Sequence, residues 1–138
     1  MLRNRLTSPD SPTHREDPIM ATFALMLHED PSSCEDMSPE RMQEIIKQYG
    51  AWAGELHAAG KLAGGHKLAD EGGRRLRRES GGELTLHDGP YAESKEVLGG
   101  IFLIEAASYE EAAEIARSCP HLHFEFGTYI DIRQIDDV

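Results

Sequence analysis

The chain has 138 residues, which is enough for one domain with a modest hydrophobic core. Its net charge of −11 argues against direct nucleic-acid binding, because contacts with phosphates need a clustered basic surface. No apolar run approaches the roughly 20 residues of a membrane-spanning helix, so we expect no membrane association.

Residues 1–19 differ from the rest of the chain. They are polar, contain three prolines and show no apolar periodicity. They also lack the apolar stretch of a signal peptide. We interpret them as a disordered N-terminal extension, or as a segment upstream of a true start at Met20. The folded domain is predicted to span residues 20–138.

The first half of the domain predicts a strand, a long helix and a second strand. Residues 22–28 form an apolar run that Asp30-Pro31 ends, which is typical of a buried strand. Ser38-Pro39-Glu40 has the chemistry of a helix N-terminus, and Gly60 that of a C-terminus. Apolar residues between them recur in steps of three and four: Met42, Ile45, Ile46, Tyr49, Trp52, Ala53 and Leu56. Residues 61–69 read as a strand in which Gly64 and Gly65 allow a bulge.

The second half predicts a hairpin, a central strand, a helix and a last strand. The hairpin spans residues 74–88 and turns at Ser80-Gly81-Gly82. Residues 99–106 form a near-continuous apolar strand. Ser108 and Glu111 make a capping box before a helix that Pro120 ends, and residues 127–135 form the last strand. We therefore predict an α+β fold whose sheet carries both helices on one face, leaving an apolar face for a second copy to cover.

The segment around the turn at Asp88-Gly89-Pro90 resembles a known family. Tyr91-Ala92-Glu93-Ser94-Lys95 and Leu98-Gly99-Gly100 follow the turn, as in the YCII-related proteins of the subgroup named after its Asp-Gly-Pro-Phe (DGPF) motif. Further similarity, as in "AGKLAGG" and "EEAAEIARSCP", extends the resemblance over roughly residues 21–135. The resemblance implies a ferredoxin-like βαββαβ fold, here with an added hairpin, that forms homodimers of the dimeric α/β-barrel type.

One branch of this family is thought to use a His–Asp pair in acid–base chemistry on small molecules. Alignment of the end of the first helix puts that histidine near Tyr49, and the aspartate around Asp70. A phenol with a pKa of about 10 is a poorer base at neutral pH than an imidazole with a pKa of about 6.5, so the mechanism does not transfer whole. Tyr49 and Trp52 either pack in the core or line a pocket between the helix and the sheet.

His66 and Asp88 are the other candidates for proton transfer. His66 lies on a strand beside two glycines, where it is either structural or, if its ring faces the first helix, a proton-transfer group. Asp88 either caps the turn at Gly89 or orients His66. Tyr91, Glu93 and Lys95 are either solvated loop residues or a polar rim that closes over a ligand or a partner subunit.

No pattern in the sequence predicts a metal or a nucleotide cofactor. His121 and His123 lack a carboxylate or cysteine at helpful spacing, and no glycine-rich phosphate loop is present. Cys34 and Cys119 form no Cys-x-x-Cys pair, which predicts free thiols in a reducing cytoplasm. Cys119 is a poor nucleophile because it falls at the end of a predicted helix.

Two functions remain open. The first is binding of a small, aromatic molecule by an apolar pocket, with acid–base catalysis by Tyr49, His66 and Asp88 and ligand contacts from Trp52 and the polar rim. The second is a non-catalytic dimeric interaction module that takes part in transcription regulation, since relatives are often associated with alternative sigma factors. An enclosed cavity that holds His66 and Asp88 would favour the first function. A filled core with an exposed apolar patch would favour the second.

Overall fold

A computed structural model describes residues 19–89 and 96–136. Its strands are β1 (Ala21–Glu29), β2 (Leu62–Lys67), β3 (Arg74–Arg78), β4 (Leu84–Asp88), β5 (Val97–Ala106) and β6 (Gly127–Gln134). Its helices are α1 (Pro39–Ala58) and α2 (Tyr109–Arg117), with 3-10 turns at Pro31–Cys34 and Pro120–His123. The predicted order of elements is confirmed. Residues 1–18, for which disorder was predicted, lie outside the described residues.

One antiparallel sheet organises these elements. Its strand order is β2-β5-β1-β6, while β3 and β4 pair with each other in a separate two-stranded ribbon. Both helices pack on one face, since Trp52 and Leu56 of α1 and Ala112 and Ile115 of α2 share a core with β1 and β5. The architecture is therefore α+β and consistent with a ferredoxin-like fold, with the ribbon inserted between β2 and β5.

Local signals in the sequence set the ends of both helices. Ser38 Oγ accepts a hydrogen bond from the Arg41 N–H at 3.0 Å, and Gly60 adopts a φ of 73° just after α1. At α2, Ser108 Oγ accepts from the Glu111 N–H at 3.1 Å. The Glu111 carboxylate accepts in return from the Ala107 N–H at 2.6 Å, one residue earlier than in a standard capping box. Each N-cap contributes about 1 kcal/mol.

Alternation along β1 decides which side chains face the helices. Phe23, Leu25 and Leu27 are buried on that face, together with Ile104 of β5. Glu29 continues the alternation and is also buried. The last inward-facing position of β1 therefore carries a carboxyl group instead of another apolar side chain.

β5 changes register with each of its two neighbours, at opposite ends of the strand. Between β1 and β5, Leu27 lies opposite Gly100 and His28 opposite Leu98, so Gly99 is the extra residue. Between β2 and β5, Leu62 lies opposite Ile104 and Gly64 opposite Leu103, so Ala63 is the extra residue. Such a shift moves the following side chains to the other face of the sheet.

The ribbon of β3 and β4 confirms the predicted hairpin. The Glu79 N–H donates to the Glu83 carbonyl at 2.8 Å, and Gly82 adopts a φ of 95° in the turn. One face of the ribbon carries leucines that are more than half exposed: Leu76 at 65%, Leu84 at 60% and Leu86 at 66%. None of the helices in residues 19–89 and 96–136 has the length and apolar character needed to cross a membrane.

Candidate functional site

A cavity of about 500 Å³ lies between α1 and the sheet. Its volume falls within the roughly 300–1,000 Å³ of small-molecule sites. The walls are mostly apolar side chains from β1, α1, β5 and the segments beside them: Leu27, Met37, Met42, Ile45, Ile46, Phe102 and Phe126. Gly65, Gly99 and Gly100 also line the cavity. The strands under α1 thus carry glycines where side chains would otherwise fill this space.

Polar groups also line the cavity. Glu29, Cys34, Lys67 and Asp70 border it, and Lys67 Nζ lies 2.7 Å from Asp70 Oδ1 in an exposed ion pair. Lys67 Nζ also donates to the carbonyl oxygen of Leu68 at 2.8 Å. The cavity is therefore an apolar chamber with ionisable groups in its wall.

Glu29 is the most deeply buried of these polar groups, with 8% of its surface exposed. Its side chain makes no hydrogen bond or ion pair with any residue of the described ranges. Burial raises the pKa of the Glu29 carboxyl, nearby Lys67 lowers it by less, and Asp70 raises it further. A carboxyl in this position favours its neutral form more than an exposed glutamate does.

The bulge at Gly99 makes room for Glu29. A Cβ at position 99 would collide with the Glu29 carboxylate, which occupies the space that a side chain would need. Gly100, next along the strand, lies against the backbone of His66 and Lys67. The Glu29 carboxylate thus occupies space beside β5 that a side chain at position 99 would need.

A buried tyrosine and histidine form a second polar pair at the cavity. The Tyr49 hydroxyl lies 2.7 Å from His121 Nδ1, and His121 Nε2 lies 2.6 Å from the His28 carbonyl oxygen. Since a carbonyl only accepts, Nε2 carries the proton, and Nδ1 accepts from Tyr49. Burial lowers the pKa of His121 and raises the pKa of Tyr49. Both side chains are therefore neutral at pH 7, and Tyr49 keeps lone pairs that a ligand can use.

Neither cysteine has the surroundings of a nucleophile. Cys34 lines the cavity, and burial, assisted by the charge of Glu29, raises its pKa to about 11. Burial likewise raises the pKa of Cys119 to about 11. Both groups remain thiols at neutral pH, and the thiolate is the reactive form.

The structure brings three of the sequence-predicted residues to the cavity and places a fourth in the core. Tyr49, His66 and Asp70 line the cavity. Trp52 is 6% exposed and packs edge-on against Phe102, and its indole N–H donates to Ser118 Oγ at 2.8 Å. Trp52 is not among the described residues of the lining. Of the two roles predicted for Trp52, packing in the core describes where it lies.

His66 and Asp88 are not brought together at the cavity. His66 lines the cavity, but it is opposite Ile101, while its neighbour Gly65 is opposite Phe102 on the helix face. The pairing register therefore directs the imidazole toward the other face of the sheet. Asp88 lies exposed at the end of β4, opposite Arg74. Their catalytic roles stay predictions. Tyr91, Glu93 and Lys95 lie outside the described residues.

Sequence reasoning missed Glu29 and His121. The signal for Glu29 was available, because the alternation that buries Phe23, Leu25 and Leu27 reaches position 29. No comparable signal marked His121, whose burial depends on the 3-10 turn at Pro120–His123 and on contact with α1. Within residues 19–89 and 96–136, no three His, Cys, Asp or Glu side chains are grouped closely enough to hold a metal ion.

Comparison with known proteins agrees with this fold. The family model of the YCII-related domain matches residues 21–135. An uncharacterized protein of Rhizobium meliloti, R00369, is 32% identical over 107 residues, which cover 78% of this chain and 86% of that protein. The match includes β1, α1 and the other elements that build the cavity. The chain belongs to the YCII-related domain family.

Proposed function

We propose that the protein binds a small, mostly apolar molecule in the cavity between α1 and the sheet. The observation that carries this proposal is a chamber of about 500 Å³ that is lined mainly by apolar side chains yet contains the buried carboxyl of Glu29. An apolar chamber with a few inward polar groups is the usual form of a ligand site.

The walls favour a ligand with an aromatic ring. Phe102 and Phe126 line the chamber, and the ring of Tyr49 stacks near Phe102 with centroids 6.4 Å apart. Aromatic rings add a preference for edge-on or offset contacts of about 0.5–1.5 kcal/mol per pair. Met37 and Met42 give the opposite wall a flexible surface that adapts to ligand shape.

Acid–base chemistry on the bound molecule is the second part of this proposal. Tyr49 and Asp70, the positions at which the family resemblance places a His–Asp pair, both line the cavity. That location supports a reactive site at the same place in this chain. The neutral phenol of Tyr49 is a poor base, so it is expected to position the ligand, and the roles predicted for His66 and Asp88 remain proposals.

A thermal-shift screen of phenols, quinones and other ring compounds tests binding. A ligand at 100 times its Kd stabilises the folded state by about 2.7 kcal/mol, which raises Tm by several degrees. Ile46→Trp, at a half-exposed position in the cavity wall, is expected to abolish the shift by filling the chamber. Ile135→Trp, at an exposed position after β6, is the matched control and is expected to keep it. A shift that survives Ile46→Trp would place the ligand elsewhere.

Membership of the DGPF subgroup and dimerisation also belong to the proposal. Asp88-Gly89-Pro90-Tyr91 has tyrosine where the subgroup motif has phenylalanine.

The sheet face away from the helices carries half-buried apolar side chains: Ala24, Met26, Leu98, Ile101 and Leu103. A second sheet stacked there would bury them. Light scattering is expected to give twice the chain mass of 15.3 kDa, and Ile101→Lys is expected to reduce it to one chain mass.

A non-catalytic interaction module is the alternative function. It is favoured by the three exposed leucines of the hairpin, Leu76, Leu84 and Leu86, which form one face of the ribbon. Titration with a purified alternative sigma factor would test this function. Loss of binding in Leu76→Ser/Leu86→Ser, but not in the matched Arg75→Ser/Thr85→Ser on the other face, would support it.

A further inference from the structure

We propose that Glu29 recognises an uncharged ring compound that carries a carbonyl group, by donating a hydrogen bond from its protonated carboxyl to the carbonyl oxygen. This inference rests on the proposed function and names the class of ligand: aromatic ketones, enones and quinones. It assigns Glu29 as the residue that selects the ligand.

Glu29 lacks a hydrogen-bond partner among residues 19–89 and 96–136. The side chain is 8% exposed and lines the cavity, and no described residue accepts from it or donates to it. Buried polar groups in folded proteins are nearly always hydrogen-bonded, and a buried group without a partner costs about 1–3 kcal/mol. A carbonyl in the cavity would satisfy the neutral carboxyl and remove that cost.

The backbone around the end of β1 also leaves space for a carboxyl group. Two strands change register at the end of β1: β5 by the bulge at Gly99, and β6 between its pairings with His28 and Glu29. The missing Cβ at Gly99 is what leaves room for the carboxylate of Glu29. The alternation of β1 therefore points this side chain toward the cavity, and the bulge in β5 leaves the space that its carboxylate occupies.

The charges around the cavity also favour an uncharged ligand. The titratable groups that border the cavity with Glu29 are Cys34, Tyr49, His66, Lys67, Asp70 and His121. Lys67 and Asp70 form an ion pair and contribute no net charge together. Cys34, Tyr49 and His121 are neutral at pH 7 for the reasons given above. A carboxylate ligand would therefore find the ammonium of Lys67 already paired with Asp70 and would meet the carboxyl of Glu29.

Matched ligands of one size test the inference. We choose 2-acetylnaphthalene, which has a carbonyl, 2-naphthoate, which has a charge, and naphthalene, which has neither. Isothermal titration is expected to show that the ketone binds at least about tenfold more tightly than either of the others. Its affinity is expected to fall as pH rises through the raised pKa of Glu29, because ionisation removes the donor.

Variants of Glu29 separate recognition from packing. Glu29→Gln keeps a neutral donor of the same size and is expected to bind the ketone with an affinity that no longer depends on pH. Glu29→Leu removes the donor and is expected to reduce ketone affinity to that of naphthalene. Glu105→Gln, on the other face of the sheet, is the control and is expected to behave like the wild type.

Each result decides one question. Binding of none of the compounds by the wild type would overturn the proposed function and this inference with it. Binding of naphthalene and the ketone with equal affinity, or tighter binding of 2-naphthoate, would overturn the inference alone. A wild-type pH profile that Glu29→Gln leaves unchanged would do the same. If a variant fails to fold, the three affinities of the wild type and their pH dependence still test whether Glu29 selects a carbonyl ligand.

Discussion

The two halves of the space between helices and sheet are built differently. On the side of α2, Phe23, Ala112 and Ile115 fill the core, and the indole N–H of Trp52 is paired with Ser118. On the other side, under the N-terminal part of α1, the same strands leave a cavity, and Glu29 has no partner among the described residues.

The difference between the halves comes from glycine. β1 and β5 run through both halves, with large side chains such as Phe23 and Ile104 in one and Gly99 and Gly100 in the other. Natural proteins that break the rules of tight packing and polar pairing usually do so at functional sites. The filled half provides stability and the unfilled half provides the site, and the following predictions test that division.

The largest effect is expected from Trp52→Ala. This change removes a buried indole from the filled half and leaves Ser118 without its donor. Unfolding free energy is expected to fall by about 3–5 kcal/mol in urea denaturation. Ile46→Ala, in the cavity wall, is the comparison and is expected to cost less than about 1 kcal/mol, since Ile46 is already 56% exposed. Equal losses would contradict the division into two halves.

The next effect is expected from Gly99→Ala. The new methyl group collides with the Glu29 carboxylate, and the expected cost is about 1 kcal/mol, at the low end for overpacking, because the carboxylate is the end of a flexible side chain and can shift. Glu29→Ala in the same chain is expected to recover much of the loss by removing the clash. A double-mutant cycle by chemical denaturation measures this coupling, and additive losses would show that the two residues do not share the space. Gly54→Ala, where no heavy atom would be met, is the control.

A pH-dependent effect is expected from Glu29→Gln. The pKa of Glu29 is raised in the folded state, so stability from its protonated form is full below the unfolded pKa of about 4.3 and is lost as pH rises through the folded pKa. Relative to the wild type, the glutamine variant is expected to be more stable at pH 8 than at pH 4. The difference is about 1.4 kcal/mol for each unit by which the pKa is raised. Urea titrations at both pH values measure it, and a constant difference would contradict it.

The smallest effect is expected in the hairpin. Leu76→Ser replaces a side chain that is 65% exposed, so the free energy of unfolding is expected to change by less than about 0.5 kcal/mol. Retention time on a hydrophobic-interaction column is expected to fall in the same variant. A loss of more than about 2 kcal/mol would mean that the ribbon packs against another surface in solution.

The fold could be predicted from the sequence because its signals are local. Ser38 and Gly60 mark the ends of α1, Ser108 and Glu111 begin α2, and the glycine turn sets the hairpin. Each of these signals acts over a few residues, so no knowledge of tertiary contacts was needed.

The face presented by His66 could not be predicted in the same way. Simple alternation from Leu62, which packs against the core, would put His66 on the helix face. The bulge at Ala63 reverses that parity and brings Gly65 and Lys67 to the helix face. Glycine at positions 64 and 65 removes the side-chain pattern that would have revealed the shift. Asp88, on the separate ribbon, depends on the same kind of long-range placement.

The space shared by Glu29 and Gly99 also has an evolutionary consequence. Because a side chain at position 99 would displace the carboxylate of Glu29, the residues at positions 29 and 99 are expected to change together among relatives. Homologues with an acid at position 29 and glycine at position 99 are expected to keep this chamber. Homologues with a larger residue at position 99 are expected to have lost it. Two columns of an alignment would be enough to sort the family by pocket type.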